Sequence, residues 1–278
     1  MRFIKMHGCG NDYIFVDGFE EDVPEPEQAA RTVSDRHFGI GGDGLVLILP
    51  ADTADLRMRM FNPDGSEAEM CGNAIRCVAK YAYEQGIVSG AEVDVETLAG
   101  VKHLELSIEA GRVVRSRVNM GKPLLERSRI PMEGPPGRVI SEPLDVDGRT
   151  FQVTCVSMGN PHTVIRIDQD PAEYPVTEHG PAIEQHPIFP ARTNVEFVQV
   201  LSAGEVRSRT WERGAGETLA CGTGASATAV ACALNGWTDR SIVVYLRGGD
   251  LEIEWGPDDM VYMTGPAVEV FRGEIDLG

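Results

Sequence analysis

Short apolar runs bounded by polar and turn residues recur along the chain, and this pattern is typical of β-strands. Four of these runs, at residues 45–49, 196–200, 241–246 and 251–255, have the length of an ordinary strand. We therefore predict that strands make up much of the fold.

Two other segments show helical spacing, and each follows a Cys-Gly pair. Apolar residues recur at intervals of three and four from Ile75 to Ala82, and Gly86 supplies a natural stop. A second helix is predicted over residues 225–234, ending before Gly236. Its side chains are small, which suits a helix held close to other backbone in the interior of a domain. Each half of the chain is therefore predicted to place several strands around one central helix.

The polar residues of the two halves are spaced alike. A glycine-asparagine turn precedes a strand-like run at both Asn11 and Asn160. Gly44, Asn62 and Cys71 follow Asn11 by 33, 51 and 60 residues, and Asn194, Glu212 and Cys221 follow Asn160 by 34, 52 and 61. We interpret the repeat as two similar domains. The N-terminal domain, with the Cys71 half-site, is predicted at residues 1–119 and 267–278, and the C-terminal domain, with the Cys221 half-site, at residues 120–266.

Length and charge narrow the class of protein. The chain has 278 residues, about twice a typical domain of ~150. Its 43 acidic and 25 basic residues give a net charge of −18, which would repel a nucleic-acid backbone. No apolar run reaches the ~20 residues of a membrane-spanning helix, and the N-terminus lacks the apolar core of a signal peptide. We expect a cytoplasmic protein that binds neither nucleic acid nor membrane.

Six cysteines in a cytoplasmic chain are expected to be thiols. Cys-x-x-Cys and His-Glu-x-x-His motifs are absent, so no metal is expected. Cys77, Cys155 and Cys232 are predicted to be buried packing residues, as most free cysteines are. Cys9 is also assigned a structural role, because the second copy has no cysteine at the equivalent place.

Residues 39–44 satisfy the Gly-x-Gly-x-x-Gly pattern of dinucleotide-binding proteins. That fingerprint should open a helix, whereas a strand is predicted to follow here. We therefore predict a tight turn.

Cys71 and Cys221 differ from the other cysteines because each is predicted to stand at a helix N-terminus. Backbone N–H groups and the positive end of the helix dipole stabilise a thiolate there, so the residue can act as a base. The same N–H groups can hold a carboxylate. If the two helix starts face each other across a cleft, the α-carbon of a bound amino acid lies between two sulfurs. Removing a proton from one face and returning one to the other would invert that carbon.

Several longer motifs carry a family resemblance that runs in order from about residue 6 to the C-terminus. They are Gly8-Cys9-Gly10-Asn11-Asp12, Phe61-Asn62-Pro63-Asp64-Gly65-Ser66, Met70-Cys71-Gly72-Asn73-Ala74, Met158-Gly159-Asn160-Pro161-His162, Arg192-Thr193-Asn194-Val195-Glu196, Glu212-Arg213-Gly214-Ala215-Gly216-Glu217-Thr218 and Ala220-Cys221-Gly222-Thr223-Gly224. Together they resemble diaminopimelate epimerase.

The resemblance implies an α/β (α+β) fold of two pseudo-two-fold-related domains. Each would be a mostly antiparallel sheet or barrel around a central helix, with the active site in the cleft between them. It further implies a homodimeric isomerase that needs no cofactor. Its substrate would be a diamino dicarboxylic acid, and it would convert LL-diaminopimelate to meso-diaminopimelate in lysine and peptidoglycan precursor synthesis.

The resemblance also implies a set of site residues. Cys71 and Cys221 would exchange the proton, and His162 and Glu212 would tune the site as further catalytic groups. The substrate contacts implied are Asn11, Asn62, Gly72, Asn73, Asn160, Asn194, Glu212, Arg213, Gly222 and Thr223. Where the two halves diverge, Glu212 could meet an ammonium group and Arg213 a distal carboxylate. The chain departs from the family at Gly44, where some members carry a side-chain amide.

Three alternatives share parts of this pattern. A two-thiol racemase for proline or hydroxyproline would keep the Cys-Gly motifs but hold a single-headed cyclic amine, and Arg213 argues against it. An isomerase of the same fold would not need a thiol in both copies. A thiol redox or binding protein would use the cysteines for reversible pairing.

Overall fold

The computed structural model of the protein describes residues 1–277 and divides into two compact units. The first unit contains Met1–Asn119 and the residues from Thr264 onward, and the second contains Met120–Met263. The boundaries expected from the sequence lie after residues 119 and 266. The assignment of one half-site to each unit stays a prediction.

The secondary structure is dominated by strands. In chain order the first elements are β1 (Arg2–Gly8), β2 (Asn11–Asp17), α1 (Pro26–Ser34), β3 (Leu45–Leu49), β4 (Leu56–Phe61), β5 (Glu67–Ala68), α2 (Gly72–Glu84), β6 (Glu92–Thr97), β7 (Gly100–Glu109) and β8 (Arg112–Gly121). They are followed by β9 (Glu142–Val146), β10 (Arg149–Ser157), β11 (Pro161–Arg166), α3 (Val176–Glu184), β12 (Asn194–Ser202), β13 (Glu205–Glu212), β14 (Gly216–Glu217), α4 (Gly222–Leu234), β15 (Ser241–Leu246), β16 (Gly249–Trp255), β17 (Val261–Gly265) and β18 (Val268–Glu274). Short 3₁₀ turns occur at Arg127–Arg129 and Pro171–Glu173.

The same strand topology occurs in both units. In the first, β1–β2, β3–β4 and β6–β7 are antiparallel, whereas β2–β3 and β4–β6 are parallel. In the second, β10–β11, β12–β13 and β15–β16 are antiparallel, whereas β11–β12 and β13–β15 are parallel. Helices α1 and α3 occupy equivalent places in this order, as do α2 and α4. The repeat inferred from polar spacing is therefore a repeat of topology.

A central helix lies against the strands of each unit. Helix α2 contacts β1, β2, β6 and β7, and α4 contacts β10, β11, β12, β15 and β16. From Gly222 to Cys232 only Thr223 of α4 is not buried, and the small side chains let strands approach on several sides. This confirms the interior position predicted for the second helix.

The predicted elements are present, and the structure adds two helices. The runs at residues 45–49 and 241–246 are strands with those bounds, and those at 196–200 and 251–255 lie within longer strands. The two central helices end just before Gly86 and Gly236, both of which have positive φ. Helices α1 and α3, nine residues each, had no counterpart in the sequence-based prediction.

Two predicted packing features are confirmed. Residues 39–44 form bends and irregular backbone that lead into β3, so the glycine pattern does not open a helix. Cys77, Cys155 and Cys232 are at most 1% exposed, and burial raises the pKa of each thiol to about 12. None of the helices in the described residues is long and apolar enough to cross a membrane.

Candidate active site

In the first unit, Cys71 caps the N-terminus of α2. Its backbone is extended (φ −132°, ψ 122°), and its carbonyl accepts the first helical bond from Ile75 N at 3.0 Å. Gly72 and Asn73 form the first turn, whose backbone N–H groups point toward the helix start. Gly8 lets β1 pass close by, because an added Cβ there would lie 3.1 Å from the Asn73 carbonyl oxygen.

In the second unit, Cys221 caps α4 in the same way. Its backbone is extended (φ −116°, ψ 115°), and its carbonyl accepts from Ala225 N at 2.9 Å. Gly222 and Thr223 begin the helix, and Gly224 N donates to Cys221 Sγ at 3.3 Å. The predicted helix-start position of both cysteines is confirmed.

Amide and hydroxyl groups surround the Cys71 sulfur. The thiol donates to Asn11 Oδ1 at 3.4 Å, and the Tyr13 hydroxyl donates to Cys71 Sγ at 3.7 Å. Asn73 Nδ2 donates to the same Asn11 oxygen at 3.1 Å. Asn11 Nδ2 donates in turn to Asp43 Oδ2 at 2.7 Å. Asp43, in the glycine turn before β3, therefore fixes which atom of the Asn11 amide faces the thiol.

A small ion network anchors that turn. Arg36 Nη2 lies 2.8 Å from both Asp12 Oδ1 and Asp43 Oδ1, and Lys5 Nζ lies 2.6 Å from Asp12 Oδ2. Burial raises the pKa of Asp12, but the hydrogen bonds and charges of Arg36 and Lys5 outweigh it and hold that pKa below its usual value. Asp12 is thus held as an anion in this network.

A chain of hydrogen bonds reaches Cys221 from the interior of the second unit. Thr223 Oγ1 lies 3.4 Å from Cys221 Sγ and accepts from Asn160 Nδ2 at 3.3 Å. Asn160 Oδ1 lies 3.0 Å from His162 Nε2, and His162 Nδ1 lies 2.8 Å from Glu196 Oε1. His162, Asn160 and Thr223 therefore link the buried carboxyl group of Glu196 to the sulfur of this half-site.

The buried pair at the end of this chain holds one shared proton. Because Asn160 Nδ2 donates to Thr223, its carbonyl oxygen faces His162 and requires a proton on Nε2. The contact between His162 Nδ1 and Glu196 then needs one further proton, on either atom. Both side chains are fully buried, and burial raises the pKa of Glu196 against the opposing charge of His162. The pair is neutral overall whichever atom holds that proton.

Acidic groups and burial set the protonation of Cys221. Burial, then the carboxylates of Glu212 and Glu196, raise the pKa of this thiol well above its ordinary value. The bonds from Thr223 and Gly224 oppose that shift but do not cancel it. Cys221 therefore keeps its proton more firmly than an exposed cysteine does.

The other predicted contacts lie at strand ends and in turns: Asn194 begins β12, Glu212 ends β13, and Asn62 follows β4. Asn194, 3% exposed, donates to Pro161 O at 2.7 Å and accepts from Arg213 N at 2.9 Å, so it fixes the loop that carries the exposed Arg213. Glu212 accepts from the Thr218 hydroxyl. Asn62 is bonded to Ser66 within a turn at 3.0 Å. Its role as a substrate contact stays a prediction, as do those of the other residues.

Tyr13, Asp43 and Glu196 were absent from the sequence-based site. Tyr13 had a usable signal, because it follows Asn11 by two residues just as His162 follows Asn160. Glu196 also had one, as an acid within the apolar run that follows Asn194. Its buried place is possible because Gly224 has no side chain: a Cβ there would lie 2.7 Å from Glu196 Oε1.

Comparison with known proteins identifies relatives over the whole chain. The sequence model of the diaminopimelate epimerase family matches residues 3–125 and 154–270. A diaminopimelate epimerase of Pelotomaculum thermopropionicum is 61% identical over 277 residues, covering 99% of this chain and 98% of that protein. One from Moorella thermoacetica is 58% identical over 279 residues, covering 100% of both.

Solved structures of lower identity share the fold. A probable proline racemase from Agrobacterium radiobacter superimposes with a TM-score of 0.73 at 17% identity, covering 100% of this chain and 93% of that one. A phenazine biosynthesis protein of the PhzF family from Bacillus anthracis gives a TM-score of 0.73 at 17% identity, covering 100% and 99%. The α/β fold is therefore the one shared by these racemases, epimerases and PhzF-like proteins.

Proposed function

This chain belongs to the diaminopimelate epimerase family, and from that premise we propose that Cys71 and Cys221 move the proton that converts LL-diaminopimelate to meso-diaminopimelate. The protein is an isomerase that epimerises diaminopimelate in lysine biosynthesis. Supply of the meso form for peptidoglycan precursors belongs to the same proposal. The observation that carries it is the presence of two thiols at equivalent helix starts in two repeated units.

The proposed reaction uses one thiolate and one thiol. The thiolate takes the α-proton of the substrate and becomes a thiol, and the electron pair of the broken C–H bond stays on the substrate. The thiol of the second cysteine then gives its proton to the opposite face of that carbon and becomes a thiolate. After one turnover the proton has changed cysteine, and the two sulfurs exchange roles for the reverse reaction.

The first turns of the two central helices are proposed to hold the carboxylate next to the reacting carbon. Their backbone N–H groups, at Gly72, Asn73, Gly222 and Thr223, supply donors and the positive helix dipole. Those donors favour the negative charge that builds up as the α-proton leaves. No cofactor is required in this scheme, because the thiols carry the proton and the backbone carries the charge.

The remaining predicted residues are proposed to select a substrate with two polar ends. Asn11, Asn62, Asn160 and Asn194 would contact or orient it, and His162 would tune Cys221 through Asn160. Glu212 is proposed to meet the ammonium group, and the exposed Arg213 the distal carboxylate. Proline has a single amino group and a single carboxylate, so a proline racemase would not need the additional charges of Glu212 and Arg213.

The assembly and location are also proposals. We propose a homodimer in the cytoplasm, on the resemblance to the family. An apolar surface on β18 supports self-association: Val268, Val270 and Phe271 are 41%, 55% and 46% exposed. Light scattering during gel filtration tests this: the account expects twice the chain mass of 30.2 kDa, and a monomer at all concentrations would contradict it.

The function is tested with purified, reduced protein in the absence of pyridoxal phosphate. LL-diaminopimelate and L-proline are supplied in parallel, and the stereoisomers are separated by chiral chromatography. The proposal expects meso-diaminopimelate to form and proline to stay unchanged. Racemisation of proline alone would replace the substrate, and disulfide exchange without epimerisation would favour the redox alternative.

A further inference from the structure

The topological repeat places Tyr13 of the first unit at the position of His162 in the second. Each follows the asparagine of its turn by two residues, and each lies at the start of a strand that pairs in parallel with the next. His162 pairs with Asn194, and by the same register Tyr13 lies beside Gly44. The two half-sites therefore carry different titratable side chains at one structural position.

Gly44 makes room for the tyrosine ring. A Cβ added at Gly44 would lie 3.1 Å from Tyr13 Cε1 and 2.2 Å from the Phe61 carbonyl oxygen, and the φ of +155° is one that other residues rarely adopt. The space that a side chain at position 44 would need is thus partly taken by Tyr13. The ring is 5% exposed, and its hydroxyl donates to Cys71 Sγ.

The Tyr13 hydroxyl keeps its proton under the conditions in which the enzyme works. Burial raises the pKa of Tyr13 well above its ordinary value, and the adjacent Cys71 sulfur raises it further. A hydroxyl that stays protonated is a permanent hydrogen-bond donor, and a donor stabilises an ionised partner more than a neutral one.

We propose that Tyr13 is a positioning residue that holds Cys71 as the thiolate by donating its hydroxyl hydrogen bond to the sulfur. The proposal rests on the function proposed above and deepens it, because it assigns the single proton of the thiol pair. That proton rests on Cys221, whose pKa is raised by burial and by the charge of Glu212, and Cys71 is the base of the resting enzyme.

Of the other groups that face Cys71, some favour the thiolate and others oppose its formation. The guanidinium of Arg76, buried on α2, favours the thiolate, and burial raises the pKa of the neighbouring Cys77 thiol to about 12 and keeps it neutral. Asn11 Oδ1 accepts from the thiol and therefore opposes ionisation, and Asp43 holds that amide in place.

Among the described residues of the first unit, the positions equivalent to Glu196 and Glu212 are not acidic. Strand register and spacing align Glu196 with Val46 and Glu212 with Asn62, so neutral side chains take those places. The difference in environment thus favours the thiolate at Cys71 over Cys221.

The test is the pH dependence of alkylation of each cysteine, measured by mass spectrometry after brief exposure to iodoacetamide. Tyr13→Phe removes the hydroxyl and keeps the ring, and Tyr81→Phe is the matched control because its hydroxyl donates to Asp17 instead. In wild-type protein Cys71 should react at lower pH than Cys221. A hydrogen bond to an ionised group is worth about one pKa unit or more, so Tyr13→Phe should lower the Cys71 alkylation rate ~10-fold below its pKa.

Cys232, fully buried in α4, serves as an internal reporter of folding, because it should stay unreactive in Tyr13→Phe. Epimerisation measured in parallel should show an acid-limb pKa of kcat/KM that rises in Tyr13→Phe by the same amount in both directions, because the equilibrium constant fixes the ratio of the two values. A Cys71 profile in Tyr13→Phe that matches Tyr81→Phe would overturn the proposal. Alkylation does not require substrate. If wild-type protein failed to epimerise diaminopimelate, the proposed function would be contradicted, and the effect of Tyr13→Phe on the ionisation of Cys71 could still be measured.

Discussion

His162 Nδ1 lies 2.8 Å from Glu196 Oε1, and both side chains are completely buried in the second unit. A buried carboxyl group is costly unless it is neutral or paired, so this contact has consequences for both stability and the pKa of Cys221. Through Asn160 and Thr223 it also fixes the hydrogen bonds that reach the sulfur.

Glu196 should make stability depend on pH. Because its folded-state pKa is raised, its favourable contribution is present at low pH and is lost as pH rises through the folded-state pKa. The free energy of unfolding of the wild type relative to Glu196→Gln should therefore fall as pH rises from the ordinary glutamate range of about 4.3. Urea unfolding of both proteins across that range measures it. Parallel stability curves would show that Glu196 does not titrate differently in the folded state.

Glu196→Ala should be more damaging than Glu196→Gln. Alanine leaves His162 Nδ1 without its hydrogen-bond partner and opens a cavity, which together should cost about 2–4 kcal/mol of unfolding free energy. Glutamine keeps an acceptor of nearly the same shape. Equal destabilisation by the two substitutions would mean that the hydrogen bond to His162 contributes little.

Cys71→Ser and Cys221→Ser should each reduce epimerisation by about 10²–10⁴-fold, the usual contribution of a general acid or base. Serine preserves shape, but its hydroxyl is a far weaker acid than a thiol. Cys232→Ser is a suitable comparison, because that cysteine is buried in α4 and has no proposed role in the reaction. Full activity in either of the first two variants would remove the two-thiol mechanism.

Oxidation should couple the two proposed half-sites. If both thiols approach one carbon, air oxidation of substrate-free protein should join Cys71 to Cys221 and abolish activity until a reductant is added. Peptide mapping by mass spectrometry identifies the linked pair. Oxidised, inactive protein in which both thiols are still intact would count against their proximity.

Arg213 should contribute to substrate choice rather than to proton transfer. Its backbone N–H is fixed by Asn194 and its Nη1 donates to Ala191 O at 2.9 Å. If it forks onto the distal carboxylate, Arg213→Met should lower kcat/KM for diaminopimelate by about 10–100-fold, the equivalent of a hydrogen bond to a charged group. L-lysine, which lacks that carboxylate, is the control substrate. A similar loss with lysine would place the effect elsewhere.

The fold was largely predictable because its signals are local. The five residues of β3 are all apolar, and the glycines after α2 and α4 mark where each helix ends. Helix α3 was missed because Gly180 and Pro181 weaken its local signal. Gly180 is required there by packing, since a Cβ would lie 2.5 Å from the Trp211 side chain. Such a requirement is not visible in a single sequence.

The helix-start positions of Cys71 and Cys221 could be predicted from the local sequence, whereas the residues that contact or influence them could not. Spacing predicted that Cys71 and Cys221 stand at helix starts, but the contact of Tyr13 with Cys71 spans 58 positions in the chain and that of His162 with Glu196 spans 34. Only an alignment of the two copies, which pairs Tyr13 with His162, could have identified Tyr13 as a candidate site residue from the sequence. Glu196 was concealed because an acid in a strand usually faces solvent.

The proposed mechanism requires two different thiols to act on opposite faces of one carbon. The most direct measurement is the epimerisation of LL-diaminopimelate in D2O, stopped at low conversion, with deuterium measured separately in product and recovered substrate. A two-base mechanism predicts meso product carrying one deuterium at the inverted carbon while the recovered substrate carries almost none. Product that retains the original hydrogen, or equal deuterium in substrate and product from the first turnovers, would contradict it.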